Sequence, residues 1–184
     1  NKKEHMTHIT LAVTGSISAY KAADITSQLT KLGFEVKVLM TPAAQKFITP
    51  LTLQVLSKNQ VGLEVMVEDD PQRIEHIDIG KETDLFLVAP ASANTIAKLA
   101  MGLADNMVTS TALALPQRTK KLLAPAMNTK MLEHPATQRN LKLLQDYGYQ
   151  IIQPREALLA CGDKGSGALA SVETIVETVK EHCL

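Results

Sequence analysis

Asp84-Leu85-Phe86-Leu87-Val88-Ala89-Pro90-Ala91-Ser92-Ala93-Asn94-Thr95 is the stretch that decides the fold. Residues 84–89 form a near-continuous apolar run, the pattern of a strand covered on both faces inside a parallel sheet. Residues 90–95 turn polar abruptly and open a helix to about Met101. The same succession recurs on either side. Residues 9–14 (ITLAVT) read as a buried strand, with Gly15-Ser16-Ile17-Ser18 as the turn that follows. Ser18 caps a helix through Leu32, and Gly33 stops it. Residues 35–40 (EVKVLM) are the next strand, followed by Thr41 as a cap, Pro42 in a first helical turn and helix again over 51–57. A short strand is predicted over 61–67. Downstream come a helix over 105–115, a strand over 121–124 and an amphipathic helix over 134–147 stopped by Gly148. A strand over 149–153, a glycine-rich loop over 160–167 and a helix over 171–182 complete the chain.

Strand, loop and helix alternating about five times predict the α/β class: a single-domain open parallel sheet, three-layer α/β/α, over residues 6–184. Residues 1–5 read as a cloning remnant, with Met6 the native start. In such sheets a ligand sits outside the carboxyl ends of the strands, where the strand order reverses. Gly15-Ser16, Thr41, residues 90–95 and residues 125–128 each follow a strand directly, so four loops converge there.

Bulk properties exclude several classes. The chain has 184 residues, 45% hydrophobic, with 3% aromatic and no Trp, so its core must be aliphatic. Nineteen basic residues balance nineteen acidic ones, which argues against nucleic acid or an anionic membrane surface as partner. No apolar run approaches the ~20 residues of a membrane span, and no export signal is recognisable. Two cysteines, Cys161 and Cys183, then read as free thiols of a reducing compartment, and the expected location is cytoplasmic.

The loops suggest a ligand. Gly15-Ser16-Ile17-Ser18 at a helix start offers backbone N–H groups, hydroxyls and the positive helix end, a setting for one phosphate. It matches neither the dinucleotide fingerprint nor the P-loop, and an ordinary helix cap explains it as well. Thr41 has the same two readings. Ser92, Asn94 and Thr95 suit the edge of a planar polar ligand, so a mononucleotide such as FMN fits the set. His76, His134 and Cys161 show no metal-ligand spacing, and no metal is expected. His134 before Pro135 reads as the start of a helix. His76, in Glu75-His76-Ile77-Asp78, reads either as a proton-exchanging group or as a surface histidine. Cys161, among Gly162, Gly165 and Gly167, has the exposed setting of a reactive thiol.

Taken together, Gly15-Ser16-Ile17-Ser18-Ala19-Tyr20-Lys21, His76-Ile77, residues 90–95, Pro125-Ala126-Met127-Asn128-Thr129-Lys130-Met131 and Ala160-Cys161-Gly162-Asp163 resemble the motif series of the flavin-containing cysteine decarboxylases, from about His8 to Ser171. The similarity is strongest to the coenzyme A biosynthesis branch. It implies a flavodoxin-like or Rossmann-like fold, FMN as cofactor, and a homo-oligomer, trimer or dodecamer, with flavin near a subunit interface. It implies that Gly15, Ser16, Ile17 and Thr41 hold the phosphate region and that Ser92, Asn94 and Thr95 contact the flavin. His76, Asn128 and Cys161 are the implied catalytic residues. Asn128 also binds the substrate carboxylate, with Met131, Ala160 and Gly162 beside the substrate. Leu132 stands where the family often has Trp, which leaves the packing role of that position open.

The implied reaction converts 4′-phospho-N-pantothenoylcysteine to 4′-phosphopantetheine. The thiol-bearing carbon is oxidised to a thioaldehyde, carbon dioxide leaves, and the ene-thiol is reduced, with FMN carrying the electrons. His76 assists proton removal, Asn128 holds the departing carboxylate, and Cys161 donates the last proton under a closing loop. The Cys161 context favours this over the peptidyl-cysteine decarboxylases, which stop at the ene-thiol. The third expectation, a non-enzymatic flavin-binding regulatory subunit, is disfavoured by the full catalytic set. The substrate would come from a synthetase, either a separate protein or a further domain joined beyond Leu184.

Overall fold

The computed structural model describes residues 6–65, 74–158, 162 and 164–184. Five parallel strands make the main sheet: β1 (His8–Val13), β2 (Glu35–Met40), β3 (Leu85–Ala91), β4 (Lys120–Pro125) and β5 (Tyr149–Ile151), in the order β2-β1-β3-β4-β5. Leu11 stands in register with Val38 on one side and Leu87 on the other, and Leu87 with Leu122. All seven residues of β3 are buried, which is why its sequence shows no polar face.

Alternation along the strands separates two cores, because successive side chains point to opposite faces. Leu85, Leu87 and Ala89 meet α1 (Lys21–Lys31) through Ile25 and Leu29, and α8 (Val172–Cys183) through Ile175 and Val179. Phe86 and Val88 point the other way. They meet Ile96 of α4 (Ala93–Met101), Met107 of α5 (Met107–Leu113) and Leu144 of α7 (Pro135–Asp146). Phe86 is the largest fully buried side chain among the described residues; its truncation to Ala would cost about 3–5 kcal/mol. Three layers result, as expected. Two further helices, α2 (Pro50–Ser57) and α3 (Glu75–Glu82), lie on the connection from β2 to β3.

Several expectations need correction. The cap of the first helical turn is Ser16, not Ser18: Ser18 N donates to Ser16 Oγ at 3.2 Å, and a tight turn over Ile17–Tyr20 leads into α1. The predicted strand at 61–67 is reduced to a single bridge between Leu39 and Gly62, with residues 66 and 67 outside the described region. The glycine-rich segment is not wholly loop. β6 (Arg155–Leu158) and β7 (Lys164–Ala168) pair antiparallel as a separate hairpin, so Gly165 and Gly167 are strand residues. Among the described residues no helix is long and apolar enough to cross a membrane.

Candidate active site

Strand order reverses between β1 and β3, since β1 leads to β2 on one side and β3 lies on the other. Such a switch point leaves a crevice at the strand ends. A cleft of two lobes opens there, of about 650 and about 390 Å³. The lobes share Gly15, Ser92, Ala93 and Met131. Ten sequence-predicted residues divide as follows. Gly15, Ser16, Ile17, Ser92, Asn128 and Met131 line the larger lobe; Thr41, Asn94 and Thr95 join the smaller one. His76 lines neither.

Thr14 stitches the crevice together. Fully buried at the end of β1, its hydroxyl donates to Pro90 O at 2.6 Å and accepts from Ser92 N at 2.9 Å. The Ala89–Pro90 peptide is cis, and the β3–β4 register shifts between Val88 and Ala91. Sequence reasoning placed Thr14 in the strand and assigned it no role; only the cross-strand neighbour reveals one.

Four of the predicted side chains, Ser16, Thr41, Ser92 and Asn128, cap helical turns as well as line the cleft. Ser92 Oγ accepts from Thr95 N at 3.2 Å and starts α4. Thr41 Oγ1 accepts from Ala44 N at 3.2 Å. Asn128 caps the short α6 (Thr129–Glu133), its Oδ1 accepting from Met131 N at 2.9 Å. That bond engages the amide oxygen and leaves the two N–H donors of Nδ2 for other partners. Capping uses only one acceptor of each side chain, so a cap at the cleft wall does not compete with a ligand contact.

The cleft fits a mononucleotide. A Cβ on Gly15 would sit 2.7 Å from Ala43 Cβ, so the wall between the lobes closes only because residue 15 has no side chain. The turn after it presents Ser16 and Ser18 hydroxyls, 2.8 Å apart, at the positive end of a helical turn. Within the smaller lobe the Lys98 ammonium, 2.6 Å from Asp105, holds that carboxyl below its usual range, so the acid there is neutralised.

The hairpin contributes Arg155, Ala157, Leu158 and Gly167 to the wall of the larger lobe. Gly162 is exposed with φ +89°, a left-handed position suited to glycine. Cys161 and Ala160 lie outside the described residues. His76 stands on α3, with its Nδ1 buried and lacking a hydrogen-bond partner among the described residues. Its helix packs against α5, where Gly80 meets the Ala114 carbonyl, and not against the cleft.

Comparison with known proteins accords with this geometry. The flavoprotein family profile matches residues 1–184. The chain belongs to the flavoprotein family. It is 64% identical over 174 residues to the probable phosphopantothenoylcysteine decarboxylase of Streptococcus mutans, covering 95% of this chain and 97% of that protein. It is 45% identical over 175 residues to the coenzyme A biosynthesis bifunctional protein CoaBC of Bacillus subtilis, covering 95% of this chain but 43% of the longer protein. Among solved structures, a cysteine-to-serine mutant of PPC decarboxylase complexed with pantothenoylaminoethenethiol superposes with TM-score 0.89 at 31% identity, over 96% of this chain and 98% of that one. The flavodoxin-like strand order of this flavoprotein is thus that of a decarboxylase structure.

Proposed function

We propose that this protein decarboxylates 4′-phospho-N-pantothenoylcysteine to 4′-phosphopantetheine in coenzyme A biosynthesis, with FMN as cofactor. The observation that carries the reading is Asn128: it lines the larger lobe, and its capping bond to Met131 engages the amide oxygen and leaves two N–H donors for a carboxylate. Gly15, Ser16, Ile17 and Thr41 would hold the phosphate region of FMN, and Ser92, Asn94 and Thr95 its heterocycle. When bound, FMN supplies the two-electron acceptor and donor that let a cysteine carboxylate leave with no net change in oxidation state.

The protein's own groups position and protonate. Asn128 holds the carboxylate so that the scissile bond keeps one orientation. Met131 lies beside it at the junction of the lobes. Cys161, with Ala160 and Gly162 beside the substrate, donates the final proton. The PPC decarboxylase complexed with pantothenoylaminoethenethiol is a cysteine-to-serine mutant, which supports assigning the last protonation to a cysteine. His76 assists removal of a proton from the cleft of a neighbouring protomer, which accounts for its position away from the cleft of its own chain. Ile17, Tyr20, Phe47, Met131 and Leu158 expose large apolar surfaces around the larger lobe, a rim suited to a homo-oligomeric interface, trimer or dodecamer. The substrate comes from a synthetase; the matched relative of Bacillus subtilis is a bifunctional coenzyme A biosynthesis protein of which this chain covers 43%. Such a reaction belongs in the cytoplasm.

The test is to incubate the FMN-loaded protein with 4′-phospho-N-pantothenoylcysteine and weigh the product. Loss of carbon dioxide alone is expected. Loss of carbon dioxide plus two hydrogens would reassign the protein to the oxidative peptidyl-cysteine type, and failure to take up FMN would overturn the reading.

A further inference from the structure

Two cations in the larger lobe have no part in the reaction centre described above. Lys21, half-buried, opens α1 directly after the Ser16–Tyr20 turn, and Arg155 opens β6 of the hairpin. Both line the lobe, and every other described residue lining it is uncharged. Among the described residues neither has a carboxylate within ion-pair distance.

Each cation is held in place. Arg155 Nε donates to Leu169 O at 2.9 Å, which fixes the guanidinium plane while its two terminal amino groups remain as donors. Its partner across the hairpin is Ala168, so no second long side chain crowds that position. Lys21 Nζ lies 6.0 Å from the centre of the Tyr20 ring. Burial, and then the charge of Arg155, hold the Lys21 ammonium below its usual pKa range. Two like charges that feel each other in an otherwise neutral wall are unfavourable until an anion joins them. A phosphate monoester, nearly doubly charged and rich in acceptor oxygens, suits an Arg fork beside a Lys point charge.

We propose that Lys21 and Arg155 form a phosphate-monoester subsite that gives the protein its preference for a phosphorylated pantothenoylcysteine over the dephosphorylated compound. The inference rests on the reaction proposed above and names a specificity element of the same cleft. Both the substrate and FMN carry a phosphate monoester, so the experiment must separate the two sources.

FMN-loaded wild type, Arg155→Gln, Lys21→Gln and Arg155→Lys are compared in three measurements. These are calorimetric binding of 4′-phosphopantetheine and of pantetheine, KM for phosphorylated and dephosphorylated substrate, and FMN affinity. Wild type should bind the phosphorylated compound at least about tenfold more tightly. Either Gln variant should bring that ratio towards one by raising the phosphorylated KM, and Arg155→Lys should keep most of it. An equal affinity for both compounds in wild type, or an unchanged ratio in both Gln variants, overturns the subsite. Weakened FMN binding in the Gln variants would also overturn it, by giving the cations to the cofactor's phosphate. Wild type that binds 4′-phosphopantetheine selectively but releases no carbon dioxide would overturn the reaction and leave the subsite standing.

Discussion

Gly167 and Met127 are joined so closely that a Cβ on Gly167 would lie 1.9 Å from the Met127 carbonyl oxygen, while Met127 N donates to Gly167 O at 2.9 Å. This contact ties the hairpin to the loop that carries Asn128. It is possible only for a residue with no side chain, because any Cβ would overlap the carbonyl.

Gly167→Ala should therefore push the hairpin away from Asn128. A misplacement of about an ångström in a positioning element lowers kcat/KM by about 10²-fold, and the overlap should cost about 1–3 kcal/mol of stability. Steady-state kinetics with thermal unfolding checks both. Wild-type turnover in this variant would remove the hairpin from the site.

Asn128→Asp separates capping from carboxylate binding. Aspartate is as good a cap as asparagine, so stability should stay within about 0.5 kcal/mol of wild type. The amide donor becomes an anionic oxygen that repels a carboxylate, and kcat/KM should fall about 10²–10³-fold. Asn128→Ala should lose the cap too, at about 1 kcal/mol. Matched melting curves and turnover for the three proteins decide it. Full activity in Asn128→Asp would show that Nδ2 binds no carboxylate.

His76 and Asn128 can be tested for action across protomers. His76→Asn and Asn128→Ala should each be inactive, yet mixing and reassembling the two should restore part of the activity, since some sites would draw both intact residues from different chains. Mixtures as inactive as their components would confine each site to one chain.

Burial of Tyr149 raises its hydroxyl above the ordinary value of 10.0. A raised folded-state pKa means that the stability is whole below the unfolded value and is lost as pH rises past it towards the folded one. Between about pH 10 and 11 wild type should therefore lose more stability than Tyr149→Phe, which has nothing to ionise. Urea midpoints across that range measure the difference. An identical fall in both proteins would place the alkaline sensitivity elsewhere.

Much of this protein was legible one segment at a time. Residues 84–89 announced a strand covered on both faces because apolarity without alternation has no other economical use in a short run. Ser92, Asn94 and Thr95 were legible as hydrogen-bonding residues directly after a buried strand, and Asn128 only through the motif resemblance; the structure adds that Ser92 and Asn128 cap the helices at the cleft wall. The correct cap, Ser16 rather than Ser18, was missed by two residues because a tight turn precedes α1 and nothing in the local pattern distinguishes the two serines. The strand expected at 61–67 shrank to one bridge at Gly62, whose missing side chain admits Leu39; a Cβ there would lie 2.6 Å from Leu39 Cδ2.

Sequence by itself determined the α/β class, the strand-end loops and the motif residues, since hydrophobic period and capping chemistry act within a few residues of each other. Only the tertiary structure decided that Thr14 binds β1 to β3, that Gly167 must stay bare beneath Met127, that Lys21 meets Arg155 in one wall, and that His76 stands apart from its own cleft. Each of these joins residues far apart in the chain, and such proximity is set by packing and register rather than by any local pattern.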